Sequence, residues 1–219
     1  MLKLVYPPCR RILKLEKNIM KILILGLLFC FTPYVVEAAP LKVANVSAPA
    51  INCVFNPACT VTVSDTTDNI AMSTGGTGFL QSRTYKGAPG SPAAGLFAYE
   101  YRIDLRNAVG ATAISCVDWI SFDFGPVVSK LNYGGDPKPD QVFVVTGGGI
   151  GTIGIASAIQ TGANIKFTFT SPVCEGGAPG RGDSSFFWGL VSKNPAKFVG
   201  AVVHETGGVM HGVQARAPK

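Results

Sequence analysis

An all-β fold, a β-sandwich or jelly roll of about ten short strands, is what this sequence predicts. Three observations predict it. Beyond residue 39, apolar and polar residues alternate with a period of two, the phase of half-buried strands. Turn-forming clusters interrupt these runs at short intervals, drawing on 26 Gly and 15 Pro in 219 residues. No long stretch past residue 39 combines a 3.6-residue apolar period with helix caps. A closed barrel is the alternative architecture. With 47% hydrophobic and 15% charged residues, wholesale disorder is excluded, and the length suits a single folded domain after a leader.

The chain opens with Lys3, Arg10, Arg11, Lys14, Lys17 and Lys21, and then an unbroken apolar run from Ile22 to Phe31. Pro33 and the small residues around Ala38 follow. A cationic start, a short apolar stretch and small residues at the cut compose a secretory signal peptide over residues 1–38, cleaved after Ala38. Met20-Lys21 would begin a compact signal by itself, so residues 1–19 read as an upstream start-site artefact. The apolar run falls short of the ~20 residues that span a bilayer, so no membrane span is expected in the mature chain, 39–219.

Removal of the leader changes the charge argument. The whole chain carries 19 basic and 13 acidic residues, and the mature part 13 and 11. A net charge of +2, with no run of Lys and Arg, leaves nothing to grip phosphates, and nucleic acid is not an expected partner. Cys9 and Cys30 leave with the leader, while Cys53, Cys59, Cys116 and Cys174 remain. An even count in an oxidising compartment reads as two disulfides. Of the three connectivities, Cys53–Cys59 and Cys116–Cys174 is preferred, closing a short loop and joining two strand regions. Zinc needs close cysteine pairs that these spacings lack.

Residues 40–59, rich in Pro and Ala, predict an N-terminal arm or edge strand pinned by the small disulfide loop. Strands are then expected at 41–47, 60–65, 77–86, 96–105, 113–124, 126–131, 141–146, around 165–169, and at 185–192, 197–204 and 209–215. In 96–105, Phe97, Tyr99, Tyr101, Ile103 and Leu105 take one face, and Glu100, Arg102 and Asp104 the other, expected to be solvent. In 113–124 the shared face is Ile114, Cys116, Ile120, Phe122 and Phe124.

Several motifs suggest chemistry and fail a spacing test. Gly149-Ile-Gly151-Thr-Ile-Gly154 matches a dinucleotide fingerprint, but no helix opens after it, so it reads as a glycine-rich turn. His204-Glu205 and His211 lie seven residues apart, where a metalloprotease helix needs four, and Gly207-Gly208 intervenes. They read as strand histidines in a hairpin. Arg181-Gly182-Asp183 lies in a glycine-rich loop and arises easily by chance. Asn132, Asp136 and Asp140 put oxygen ligands at intervals around Gly134-Gly135, the one arrangement suited to calcium, although short of its full ligand number. Among the aromatics, Phe186-Phe187-Trp188 must split across a strand's two faces, and Trp188 is the candidate ligand-stacking residue.

Phe124-Gly-Pro-Val-Val128, Asn132 to Asp140 running into Val142-Phe-Val-Val-Thr146, Gly151-Thr-Ile-Gly154 and Ser185-Phe-Phe-Trp-Gly-Leu190 carry a resemblance. Over residues 110–205 or so the chain resembles exported bacterial β-sandwich proteins of the surface-anchored kind. The resemblance implies an exported sandwich and supplies no catalytic residue.

These readings converge on an exported, non-enzymatic β-sandwich, secreted, periplasmic or at the cell surface, with a structural or interaction role at or outside the envelope. An extracellular glycan or envelope component is the expected partner, and no cofactor other than calcium is suggested. The alternatives are a carbohydrate-binding module and a glycan hydrolase using paired carboxylates among Glu100, Asp104, Asp118 and Asp123.

Overall fold

In the computed structural model, which describes residues 37–126 and 128–219, two six-stranded sheets face each other across one apolar core. The expected leader lies outside the described residues, except for its last two positions.

In chain order the elements are β1 (Ala38–Pro40), β2 (Val43–Ser47), α1 (Ala48–Phe55), β3 (Ser64–Ala71), β4 (Thr77–Lys86) and β5 (Phe97–Asp104). There follow β6 (Cys116–Asp123), β7 (Val142–Gly147), β8 (Ile155–Thr161), β9 (Asn164–Cys174), β10 (Trp188–Ser192), β11 (Ala196–Glu205) and β12 (Met210–Pro218). The first sheet runs β1-β8-β9-β6-β11-β12 and the second β2-β7-β10-β5-β4-β3. All neighbours are antiparallel except β2 and β7. The N-terminal arm is thus two edge strands, one in each sheet, joined through buried Leu41.

The core is built by the inward residues of both sheets. Tyr99, Tyr101 and Ile103 of β5 meet Ile120 and Phe122 of β6 and Phe167 of β9, all without exposure or nearly so. The Tyr101 and Phe122 rings lie 4.7 Å apart, and Tyr99 meets Phe124 edge-on at 5.4 Å. Both tyrosines of β5 find an acceptor at the rim: Tyr99 donates to the Asn194 carbonyl at 2.6 Å and Tyr101 to the Arg216 carbonyl at 2.5 Å. That satisfies the polar end of a ring otherwise spent on packing. Along the β3 and β12 edges, side chains stitch the sheets. Asp68 accepts from the Gln214 amide at 2.6 Å, and Arg216 donates to Thr66 and Thr84. Side chains from the neighbouring sheet thus occupy part of edges that would otherwise expose backbone groups.

The structure differs from the sequence expectation in five places. Twelve strands lie among the described residues, because β1 and β8 add to those expected, and β8 follows the glycine turn directly, where small and polar residues hide its alternation. In the stretch expected as a strand at 126–131, Ser129 and Leu131 form isolated bridges, and Val127 lies outside the described residues. The strand expected at 60–65 lies at 64–71. A bulge between Val117 and Trp119 resets the phase of β6, so Val117 and Ile120 both face inward while Ile114 is 59% exposed. Finally, a helix, α1, covers part of the second sheet's outer face.

Local chemistry explains α1. Pro49 sits in its first turn, where a missing N–H costs nothing. Ile51 and Phe55, four apart, bury one face. Asn56-Pro57 ends it, since a residue before proline avoids the helical region. The disulfide Cys53–Cys59 closes the exit loop, and Cys116–Cys174 joins β6 to β9 at directly paired positions.

Candidate functional site

The outer face of β4 and β5 is not a solvated surface: α1 covers it near Tyr85, Phe187 lies over Arg83 and Arg102, and Ser184 pairs with Asp104. Glu100, Arg102 and Asp104 are buried at 7%, 5% and 4% exposure, a correction to the solvent face expected for them. The apolar members of this outer layer are Ile51 and Phe55 of α1, Tyr85, Phe143, Val145, Phe187 and Val191. Burying charge under such a layer demands partners, and a polar ladder supplies them. Asp65 accepts from Arg83 Nε at 3.3 Å and from Gln81 at 2.6 Å. Gln81 accepts in turn from Arg102 Nε at 3.0 Å. Arg102 pairs with Asp104 at 3.1 Å, and Asp104 takes the Arg106 guanidinium at 2.6 Å.

Beside this ladder a cleft of about 340 Å³ opens between α1, the 61–63 segment and the 148–150 loop. Its walls are apolar: Ile51, Val61, Val63, Val145, Ile150 and Phe187. Val63 and Ile150 form the rim, 38% and 47% exposed. Three polar side chains line it, Asn52 of α1, Arg83 and Glu100, and the last two sit opposite each other in the β4–β5 register. The Arg83 guanidinium lies 4.0 Å over the Phe187 ring, a cation–π placement that holds it against an apolar wall. Its two terminal nitrogens make no hydrogen bond among the described residues. Glu100 accepts from the Tyr85 hydroxyl at 2.8 Å through Oε1, while Oε2 has no hydrogen-bond partner among them. Burial pushes the Glu100 carboxyl up in pKa, against the lowering effects of Tyr85 and Arg83. A small apolar cleft with two convergent polar groups, one in a perturbed state, has the anatomy of a ligand site. Sequence reasoning missed it because alternation places Arg83 and Glu100 on an outer face but cannot show that a helix roofs that face.

A second polar cluster, at the end of the sandwich beside Cys116–Cys174, contains the residues most suggestive of catalysis. Glu205, 1% exposed, accepts from the Ser73 amide at 2.8 Å, the Ser73 hydroxyl at 2.5 Å, the Ser115 hydroxyl and His211 Nε2 at 2.5 Å. Glu175 accepts from the Ser115 amide at 3.0 Å and from the Thr74 hydroxyl. A serine nucleophile needs histidine between hydroxyl and carboxylate. Here the carboxylate stands between the serines and the histidine, an order that anchors four segments rather than activating a hydroxyl. Burial pushes Glu205 up, but hydrogen bonds from Ser115, Ser73 and His211 outweigh it and hold the carboxyl at about 2.

The remaining sequence candidates separate. Trp188, read as a stacking residue, is fully buried between Tyr101, Phe167 and Phe169, with no face to offer a ligand, because β10 is a central strand. Trp119 is half-buried on the first sheet's outer face. His204 stacks on its indole at 4.6 Å and Lys166 approaches at 4.4 Å from the strand on the other side. His204 is tied to Asp118 at 2.7 Å. Asp118 and Asp123 lie on the first sheet, and Glu100 and Asp104 on the second. Within a strand, four residues at ~3.3 Å each separate Glu100 from Asp104 by roughly 13 Å, more than carboxylate pairs that cleave glycosides require. In Arg181-Gly182-Asp183, the Asp183 carboxylate points inward to the Cys174 amide at 3.2 Å.

Asn132, Asp136 and Asp140 share one loop, and a cation already stands at its centre. Lys42 Nζ lies 3.1 Å from Asp136 and 2.9 Å from buried Asp140. The second Asp140 oxygen takes the Tyr133 and Gly134 amides, and Asn132 takes the Gly135 amide. Among the described residues, no three His, Cys, Asp or Glu side chains converge as a metal site. Lys42→Ala is expected to lower stability only slightly, since buried Asp140 keeps its two amides and loses a solvent-exposed counter-ion. Urea titration of the variant checks this; no change would mean the ion pair is only a surface contact. Comparison with protein-family models, with curated proteins and with solved structures yields no match for this chain.

Proposed function

We propose that this protein is exported and acts at or outside the cell envelope as a non-enzymatic β-sandwich whose role is to bind a partner. The observation that carries the binding role is the roofed cleft. Elsewhere on the second sheet's outer face, charges are consumed by one another, yet here a guanidinium edge and a carboxyl oxygen share an apolar enclosure without protein partners. The Arg83 side chain, 26% exposed, is open at the cleft mouth, so its free donors are available to a ligand that replaces water there.

Export is supported by the cationic leader and by two disulfides, bonds that persist in oxidising compartments. Among the described residues, no helix is long and apolar enough to cross a membrane. The resemblance to exported bacterial surface proteins points the same way.

The test is fractionation of an expressing cell followed by intact-mass analysis. A mature form beginning at Ala39, four hydrogens lighter than the reduced chain and recovered outside the cytoplasm, is the expected result. A cytoplasmic protein with free thiols would sink the proposal. A glycan array adds a second axis: strong, specific glycan binding would redirect the binding role to carbohydrate, the alternative that the aromatic content of the sequence suggests.

A further inference from the structure

Resting on that reading of the cleft as a ligand site, we infer its ligand class: a small molecule carrying a carboxylate on an apolar body, held by Arg83 and Glu100. Three observations choose this class. The enclosure of about 340 Å³ is walled by Ile51, Val61, Val63, Val145, Ile150 and Phe187, which suits an aliphatic or aromatic body of modest size. The free groups of Arg83 are its terminal nitrogens, the parallel donors of a guanidinium fork, whose geometry matches a carboxylate in two-point contact. Phe187 under its plane keeps that fork from turning away.

Glu100 decides the sign of the ligand. An ionised glutamate would call for an amine, but an amine entering the cleft meets Arg83 first. The groups around Glu100 are Tyr85 and Arg83 on β4, Asp65 on β3 and Arg102 on its own strand, and Arg102 is already engaged with Asp104 and Gln81. Burial raises the Glu100 carboxyl above the ordinary carboxylate range and so favours the neutral acid, against the lowering effects of Tyr85 and Arg83. Neutral Glu100 is a donor, so its O–H and the Arg83 fork converge as three donors on one incoming carboxylate. An anionic ligand also reinforces the protonation of Glu100, and binding takes up a proton wherever free Glu100 is ionised.

The test uses the full mature protein and matched probes. Hexanoate and hexylammonium share a tail and differ in sign; N-acetyl-leucine presents the same carboxylate as a chain terminus. Binding is followed by side-chain chemical shifts at about pH 6 and about pH 9, with hexanoate ionised at both. We expect hexanoate to shift Val63, Arg83 and Ile150 at the lower pH and to bind several-fold more weakly at the higher one. Hexylammonium should leave them unmoved. Arg83→Gln should weaken hexanoate at least tenfold. Glu100→Gln, which keeps a donor at the same place, should retain binding and lose the pH dependence. Tighter N-acetyl-leucine than hexanoate would assign the ligand as a peptide terminus, and the reverse a free acid; either supports the class. Preference for hexylammonium, or no hexanoate response at the lower pH, overturns it. Export and disulfide formation, read by mass, stand or fall independently of these outcomes.

Discussion

Glu205→Ala is expected to destabilise the fold by about 3–5 kcal/mol, the range for removing one member of a buried charged network. Glu205 is not a lone ion. It gathers Ser73 from the β3–β4 turn, Ser115 ahead of β6 and His211 from β12 onto the end of β11. Deleting the carboxylate leaves donors from three segments without an acceptor, and the one from buried Ser115 bears the largest desolvation cost. Glu205→Gln separates charge from shape, since it keeps one acceptor oxygen and should cost less than alanine. The same site sets the acid limit of the fold. Its carboxyl sits at about 2 when folded against a usual 4.5, so its contribution is fully present above about pH 4.5. That contribution is lost as pH falls toward 2, and at 1.36 kcal/mol per pH unit it amounts to roughly 3 kcal/mol. Urea midpoints measured from pH 6 down to pH 2 should therefore fall less steeply in Glu205→Gln than in the parent. Parallel pH profiles would show that Glu205 does not carry this dependence.

The second large effect is expected from the disulfide between β6 and β9. Cys116 and Cys174 are 58 residues apart in sequence. On the chain-entropy account, freeing a loop of that length costs about 4 kcal/mol, against about 2 kcal/mol for the six-residue Cys53–Cys59 loop. Replacing each pair with alanine in separate double variants should reproduce that order. The long-loop variant should also show a steeper dependence on denaturant, because its unfolded chain exposes more surface. Equal losses from the two variants would place the stabilisation in local packing rather than in chain entropy.

Both effects belong to the same end of the molecule. Thr206 donates its amide to the Cys116 carbonyl, one residue from Glu205, and Glu175 follows Cys174 directly. The disulfide fixes the ends of β6 and β9 where two buried carboxylates must receive their donors. The variants are therefore expected to be non-additive, since the sites share neighbours.

How much of this was legible in the sequence depends on the range of the interaction. Period-two alternation is local, and it placed β4 over its observed residues and β5 to within a residue at each end. The cysteine count pointed to two disulfides with three connectivities, and the one preferred for its short Cys53–Cys59 loop is the one the structure shows. The phase of β6 was legible only beyond Asp118, where Ile120 and Phe122 are buried as expected, because a bulge leaves no mark in a pattern of apolar residues. Helix α1 was missed for its length: two turns with buried Ile51 and Phe55 give too few periods to detect.

What the sequence by itself determined, then, is the all-β scaffold, its turns and its cysteine pairing, all encoded in neighbours or in a count. Tertiary structure alone decided which polar residues are buried, and with whom. Glu100 and Arg83 come from strands that any solvent-facing sheet could carry, and only the roof of α1 and the 148–150 loop makes their face an enclosure. Lys42 meets Asp136 and Asp140 across more than ninety residues of chain, and Glu205 meets Ser73 across 132. Coulomb energy and desolvation depend on distance and burial in space, which no periodicity along the chain records.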